Sequence, residues 1–322
     1  GAGGGGPAGV GAGAAASSAD RVGALAISAS NAATVPALAP GYWSALARAG
    51  AWRTLDPEAI GTRLRLAQLS AIAYRPAPIA EQLLRDLGAA GVEFFDAGGT
   101  QAFACRIHDD VVVSFRGTQP REVQDLVADA NIALRPFVIG KAGSEITVGR
   151  AHAGFAAALR CVLAPLEKRV LDLHEGDARI WLTGHSLGGA LASLLCAHLA
   201  VSRKELAPRL RLVTFAAPRV GDQALRDEIG RRLAADSALH VALERDPVPL
   251  VPPWSMDFRH LGTVRTFSIG GVESTGEGWR ALLDTLMDAS TDLRRAGAES
   301  LRRHGIEVYI AALEQTAEVA SA

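Results

Sequence analysis

The chain has 322 residues, with 33 Lys and Arg against 34 Asp and Glu and a formal net charge of −1. That length allows one large domain or two ordinary ones, and a hydrophobic fraction of 49% can fill a sizeable core, which excludes global disorder. Near-zero charge without a long basic run argues against nucleic acid as the main partner.

Residues 1–18 are low-complexity Gly and Ala and read as a flexible tail, because such a segment buries too little to offset its ordering entropy. Residues 19–51 form an Ala-rich extension containing Pro36 and Pro40, and the globular domain is expected over 52–322. Asp56-Pro57-Glu58 signals the start of a helix over 56–74, and a second helix over 78–88 should stop at Gly88. Val92–Phe95 and Ala102–Ile107 read as strands joined by Gly98-Gly99. Asp109-Asp110 then turns the chain into Val111–Phe115, a short β-branched run of the kind buried on both faces of a sheet. Strands follow at Arg179–Thr183, Arg211–Phe215 and Leu239–Leu243, with a last one at Phe267–Ile269. Helical periodicity fills 153–174, 187–202, 221–234 and much of 278–318. Strands alternating with helices of this length imply one α/β domain with a mostly parallel central sheet and helices on both faces.

Cys105, Cys161 and Cys196 are odd in number, far apart and without metal-ligand spacing, so neither a disulfide framework nor a metal site is expected. Cys161 and Cys196 fall in Ala/Leu-rich helical patterns and read as small core residues. The longest apolar stretch, Ala190 to Val201, holds His198 and falls short of the ~20 residues of a transmembrane segment. No signal peptide is visible, which favours the cytoplasm; secretion would require a leader already removed.

The strongest local signal is Gly184-His185-Ser186-Leu187-Gly188, set between the strand residues Ile180-Trp181-Leu182 and an Ala/Leu helix. A serine on such a strand-to-helix turn is held in strained geometry that the flanking glycines permit, and the helix N-terminus aims its free N–H groups at a reacting oxygen. Serine needs a base, and the base an orienting carboxylate, following in the order Ser, acid, His. Asp246 lies just past a strand end at a Pro-marked turn, with Glu244 as its nearest rival. The base is then His260 or His304. His198 points away from the elbow, and His240 reads as a packed strand residue. The oxyanion donors are expected at the backbone N–H of Leu187 and, after the strand ending Phe115-Arg116-Gly117, at Thr118.

From about Leu64 to Leu313 the chain resembles the class 3 (fungal-type) lipases of the α/β-hydrolase fold. The resemblance rests on Ala67–Tyr74, Val113–Thr118, Asp125–Asp129, Ala151–Phe155 (H-x-G-F), Gly184–Gly189 (G-H-S-L-G-G), Pro218–Gly221 (P-R-V-G) and Asp246–Pro249. His304 with Tyr309 resembles that family's closing H-x-x-x-x-Y, and His260-Leu261-Gly262 its non-catalytic H-x-G. The resemblance therefore implies Ser186, Asp246 and His304 as catalytic residues, Thr118 and Leu187 as the oxyanion hole, and Gly184, His185 and Gly188 as the nucleophile elbow. It further implies an Arg116–Asp129 ion pair, a lid over Gln119–Arg135, whose modest apolar stripe an ordinary core helix explains equally well, and a serine hydrolase of lipid esters, working where substrate gathers at a lipid–water interface, without metal or cofactor. His185 is expected to pack or hydrogen-bond, and His152 to cap its helix. Ala216 departs from the family's usual Gly, and the Gly/Ala-rich head has no counterpart in it. A short-chain esterase or phospholipase with the same residues, and an inactive lipid-binding or interaction module, stay open at this level. Oligomeric state is not legible.

Overall fold

The structure is a computed structural model that describes residues 1, 42–43, 59–117, 133–140, 143–268, 272–274 and 303–321. Gly1 apart, these belong to one compact unit, Pro36–Ala322. The elements in chain order are α1 (Ile60–Ile72), α2 (Ala77–Asp86), β1 (Ala89–Ala97), β2 (Thr100–Ile107), β3 (Asp110–Phe115), β4 (Leu134–Ile139), β5 (Ile146–His152) and α3 (Ala153–Leu173). They continue with β6 (Ile180–His185), α4 (Leu187–Ser202), β7 (Leu210–Phe215), α5 (Gln223–Arg232), β8 (Ala238–Leu243), β9 (Thr263–Phe267), β10 (Glu273–Ser274) and α6 (Ile306–Ser321).

Among the described residues the main sheet runs in the order β1-β2-β3-β6-β7-β8-β9-β10. Strands β3, β6, β7, β8 and β9 are parallel, while β1, β2 and β10 pair antiparallel at the two edges. The sheet divides two cores by strand alternation. Val111, Val113 and Phe115 face the side of α3 and α4. Val112, Trp181, Val213 and Phe215 face the side of α1 and α6, against Leu66, Leu69, Ile310 and Leu313. Helix α4 is buried on nearly every side, as its almost uniformly apolar sequence requires. Asp110 pins the entry of β6 to that of β3, accepting from Arg179 N at 2.9 Å and from Trp181 Nε1 at 2.9 Å.

The α/β architecture agrees with the sequence expectation, with differences of detail. Helix α1 begins at Ile60 behind Ala59 with no acidic first turn; the Asp56-Pro57-Glu58 signal lies outside the described residues. The last parallel strand is Thr263–Phe267 rather than Phe267–Ile269, because its register opposite β8 starts at Leu239↔Thr263. Hairpin β4–β5 was not expected at all: Pro136, the bulge between Pro136 and Val138, and Gly149 break its alternation. Cys196 is buried, but Cys161 is exposed. The buried positions of α3 include Leu159, Val162 and Leu166, and Cys161 falls between them on the solvent side. His152 caps α3 as expected, its Nδ1 accepting from Phe155 N at 3.4 Å. Ala216 takes φ 53, a left-handed backbone that explains why glycine suits that position.

Candidate active site

Four parallel strands end side by side, and the sequence-selected residues collect where they end. Phe115 of β3 stands opposite Gly184 of β6, and His185 opposite Phe215 of β7. Ser186 joins β6 to α4 with φ 57 and ψ −130, a conformation L-residues rarely adopt. Close approach on both sides of the turn makes the glycines obligatory. A Cβ on Gly184 would strike the Gly188 carbonyl, and one on Gly188 would strike the Phe115 carbonyl. Ser186 N–H donates to Phe215 O at 2.9 Å, which fixes the turn to β7. The serine is fully buried, and its Oγ has no hydrogen-bond partner among the described residues.

Asp246 lies three residues past β8, with its side chain closed off from solvent. Its Oδ1 accepts Val248 N–H at 3.0 Å and its Oδ2 accepts the Tyr309 hydroxyl at 2.6 Å. His304 Nδ1 reaches the same carboxylate at 3.0 Å and 3.2 Å. A carboxylate already receiving two donors accepts this third one, so the His304 proton sits on Nδ1 and Nε2 is left as the basic nitrogen. That Nε2 is buried and, like Ser186 Oγ, has no partner among the described residues. The His304 ring centroid lies 4.7 Å from that of His185, the residue preceding the serine. Burial and the neighbouring Asp246 hold the Tyr309 phenol well above its ordinary pKa, so it stays a donor.

The alternatives weighed from sequence go elsewhere. His260 Nε2 donates to Pro249 O at 2.9 Å, and His240 Nε2 donates to Leu261 O at 2.7 Å while its Nδ1 accepts from Thr214. His198 faces Glu167 at 3.2 Å. Glu244 is exposed.

Leu187 opens α4, in the first turn, whose N–H groups have no helical acceptor. Thr118, Asp129, most of Gln119–Arg135 and the stretch 275–302 lie outside the described residues. Gly117 is described, and it packs on the elbow: a Cβ there would strike the Tyr74 hydroxyl and the His185 carbonyl and lie 3.2 Å from Ser186 Cβ. Arg116 donates to Gln101 and stacks 5.9 Å from the Tyr74 ring centroid. The contacts of Tyr309 with Asp246 and of Tyr74 with His185 were not assigned from sequence. The spacing H-x-x-x-x-Y is the one signal that pointed to the first; nothing local points to the second.

A strained serine at the strand-to-helix turn of a parallel sheet, with an acid just past a later strand and a histidine ahead of the last helix, defines the α/β-hydrolase fold. Residues 112–256 of the chain match the sequence model of one family, lipase (class 3). A secreted mono- and diacylglycerol lipase 1 of Fusarium solani is 30% identical over 154 residues, 47% of this chain and 42% of that protein. A phospholipase A1-II 2 of Oryza sativa subsp. indica is 28% identical over 227 residues, 62% and 50% of the two lengths. Thus the chain spans about half or less of these curated relatives. In three dimensions it is similar to the Rhizomucor miehei lipase in its propeptide complex, with a TM-score of 0.55 and 25% identity over 65% of this chain and 67% of that one. Among the described residues no helix is long and apolar enough to cross a membrane.

Proposed function

We propose that the protein is a serine carboxylic-ester hydrolase acting on lipid esters. The observation that carries this reading is the Asp246–His304 pair at 3.0 Å, which leaves a bare, buried Nε2 beside the elbow that bears Ser186. Ser186 Oγ attacks the ester carbonyl while His304 Nε2 takes its proton. Asp246 keeps the histidine in the productive tautomer and stabilises the imidazolium. The tetrahedral oxyanion is held by the Leu187 N–H and by Thr118, each such donor contributing about 2.7–4 kcal/mol of barrier lowering. Collapse expels the alcohol, which takes the proton back from His304, and leaves an acyl-Ser186 ester. Water, deprotonated by His304, then attacks that ester, and collapse releases the fatty acid while Ser186 Oγ takes the proton back from His304.

Lipid substrates are favoured because the relatives named above carry the names of lipases and a phospholipase. The working site is then a lipid–water interface.

Initial rates on p-nitrophenyl esters from acetate to palmitate, with Ser186→Ala in parallel, test the proposal. A peak at long chains that vanishes in the variant is expected. A peak at acetate or butyrate would keep the mechanism and make this an esterase. Absence of serine-dependent turnover on every ester defeats the enzyme reading and leaves a binding module.

A further inference from the structure

Asp246 fixes the ring of His304, but a second set of contacts fixes its main chain. The carbonyl of His304 accepts from His185 Nε2 at 2.6 Å. A backbone carbonyl only accepts, so the His185 proton is on Nε2 and its Nδ1 is bare. That Nδ1 stands 2.8 Å from the Tyr74 hydroxyl, which is therefore the donor. The hydroxyl also lies close against Gly117, where an added Cβ would strike it. Burial, with His304 alongside, holds His185 far below the ordinary histidine pKa, and burial with Glu307 nearby keeps Tyr74 protonated. Each group is thus locked in the state its hydrogen bonds require.

We propose that the Tyr74 O–H and the His185 imidazole form a positioning relay that holds the main chain of His304 at a fixed place beside Ser186. The inference rests on the role given above to His304 as the proton carrier. The relay crosses residues far apart in sequence: Tyr74 follows α1, His185 ends β6, and His304 stands two residues ahead of α6. Without it the His304 loop is tied at one end of the imidazole only. An apolar side chain at position 185 could fill the space but would leave a buried carbonyl without a donor and free the loop to shift. Because reacting groups tolerate little displacement, such a shift acts on turnover more than on substrate binding. The neutral His185 also adds no second positive charge 4.7 Å from the ring that becomes an imidazolium during the reaction.

His185→Met should lower kcat on a p-nitrophenyl ester on the order of 10²-fold with KM held. His185→Gln, whose amide N–H reaches the place of Nε2, should recover most of that loss. Tyr74→Phe should lower kcat less, and Tyr74→Phe added to His185→Met should cost little more than His185→Met alone, because both cut one chain. Ring ¹⁵N shifts of His185 in the unaltered protein should report a protonated Nε2 and a bare Nδ1. A His185→Gln variant as slow as His185→Met, fully additive losses, or a protonated Nδ1 each overturn the relay. If His185→Met fails to fold, Tyr74→Phe and the ¹⁵N shifts decide. If the unaltered protein hydrolyses no ester and its Ser186 takes no phosphonate, the hydrolase reading fails, while the ¹⁵N tautomer still judges the relay.

Discussion

Tyr309 presents one hydroxyl to two partners, donating to Asp246 at 2.6 Å and accepting Leu243 N–H at 3.1 Å. Tyr309→Phe would leave a buried N–H without an acceptor and remove a donor from a buried carboxylate. Urea denaturation should show a loss of about 1–3 kcal/mol, with kcat falling because Asp246 holds His304 less firmly. An unchanged midpoint together with an unchanged kcat would show that this hydroxyl has no such role. At this scale the serine, the acid and, through the closing H-x-x-x-x-Y, His304 could be chosen from the chain, since each sits at a recognisable place: an elbow, a strand end, a helix start. The partners of those residues could not. His185 and Tyr74 are 111 positions apart, and no local pattern encodes that they meet.

Elements were legible where one strong preference governs them. Val111-Val112-Val113 reads as a buried strand, and Ala190 to Ala197 as a buried helix, because every side chain along them suits the same environment. Hairpin β4–β5 and the start of β9 were not legible, because pairing with a neighbour rather than periodicity sets them. The elbow shows how tightly elements constrain one another. Gly188 lets α4 lie directly on the Phe115 carbonyl of β3, so Gly188→Ala forces the helix off the sheet. Soluble protein should lose stability at the upper end of the ~1–3 kcal/mol typical of overpacking and should lose turnover with it, by thermal melting and ester assay. Retention of both would mean that the contact yields without consequence.

The molecule as a whole should be sensitive to acid. His185, His240 and His260 are all buried and all held below the ordinary histidine range by that burial, His240 to about 4 from 6.5. The unfolded chain takes up protons at these rings as pH falls below 6.5, whereas the native state takes one at His240 only near 4. Stability is therefore fully present above about 6.5 and declines as pH falls toward 4, at up to ~1.4 kcal/mol per pH unit for each lagging ring. Melting temperatures at pH 8, 6.5 and 5 should fall along that series, and His240→Gln should flatten the decline. A melting temperature independent of pH over this range would rule the linkage out.

By itself the chain determined its α/β class, its buried central strands and the identity of a serine elbow, because these follow from periodicity and from glycine placed where backbone must approach backbone. Only the tertiary structure decided that Tyr309 shares the carboxylate with His304, that His260 donates to Pro249, and that His185 reaches the His304 carbonyl. Those contacts join residues 11 to 119 positions apart. The register of neighbouring strands and the packing of α6 on α1 bring them together, and neither leaves a trace in local sequence.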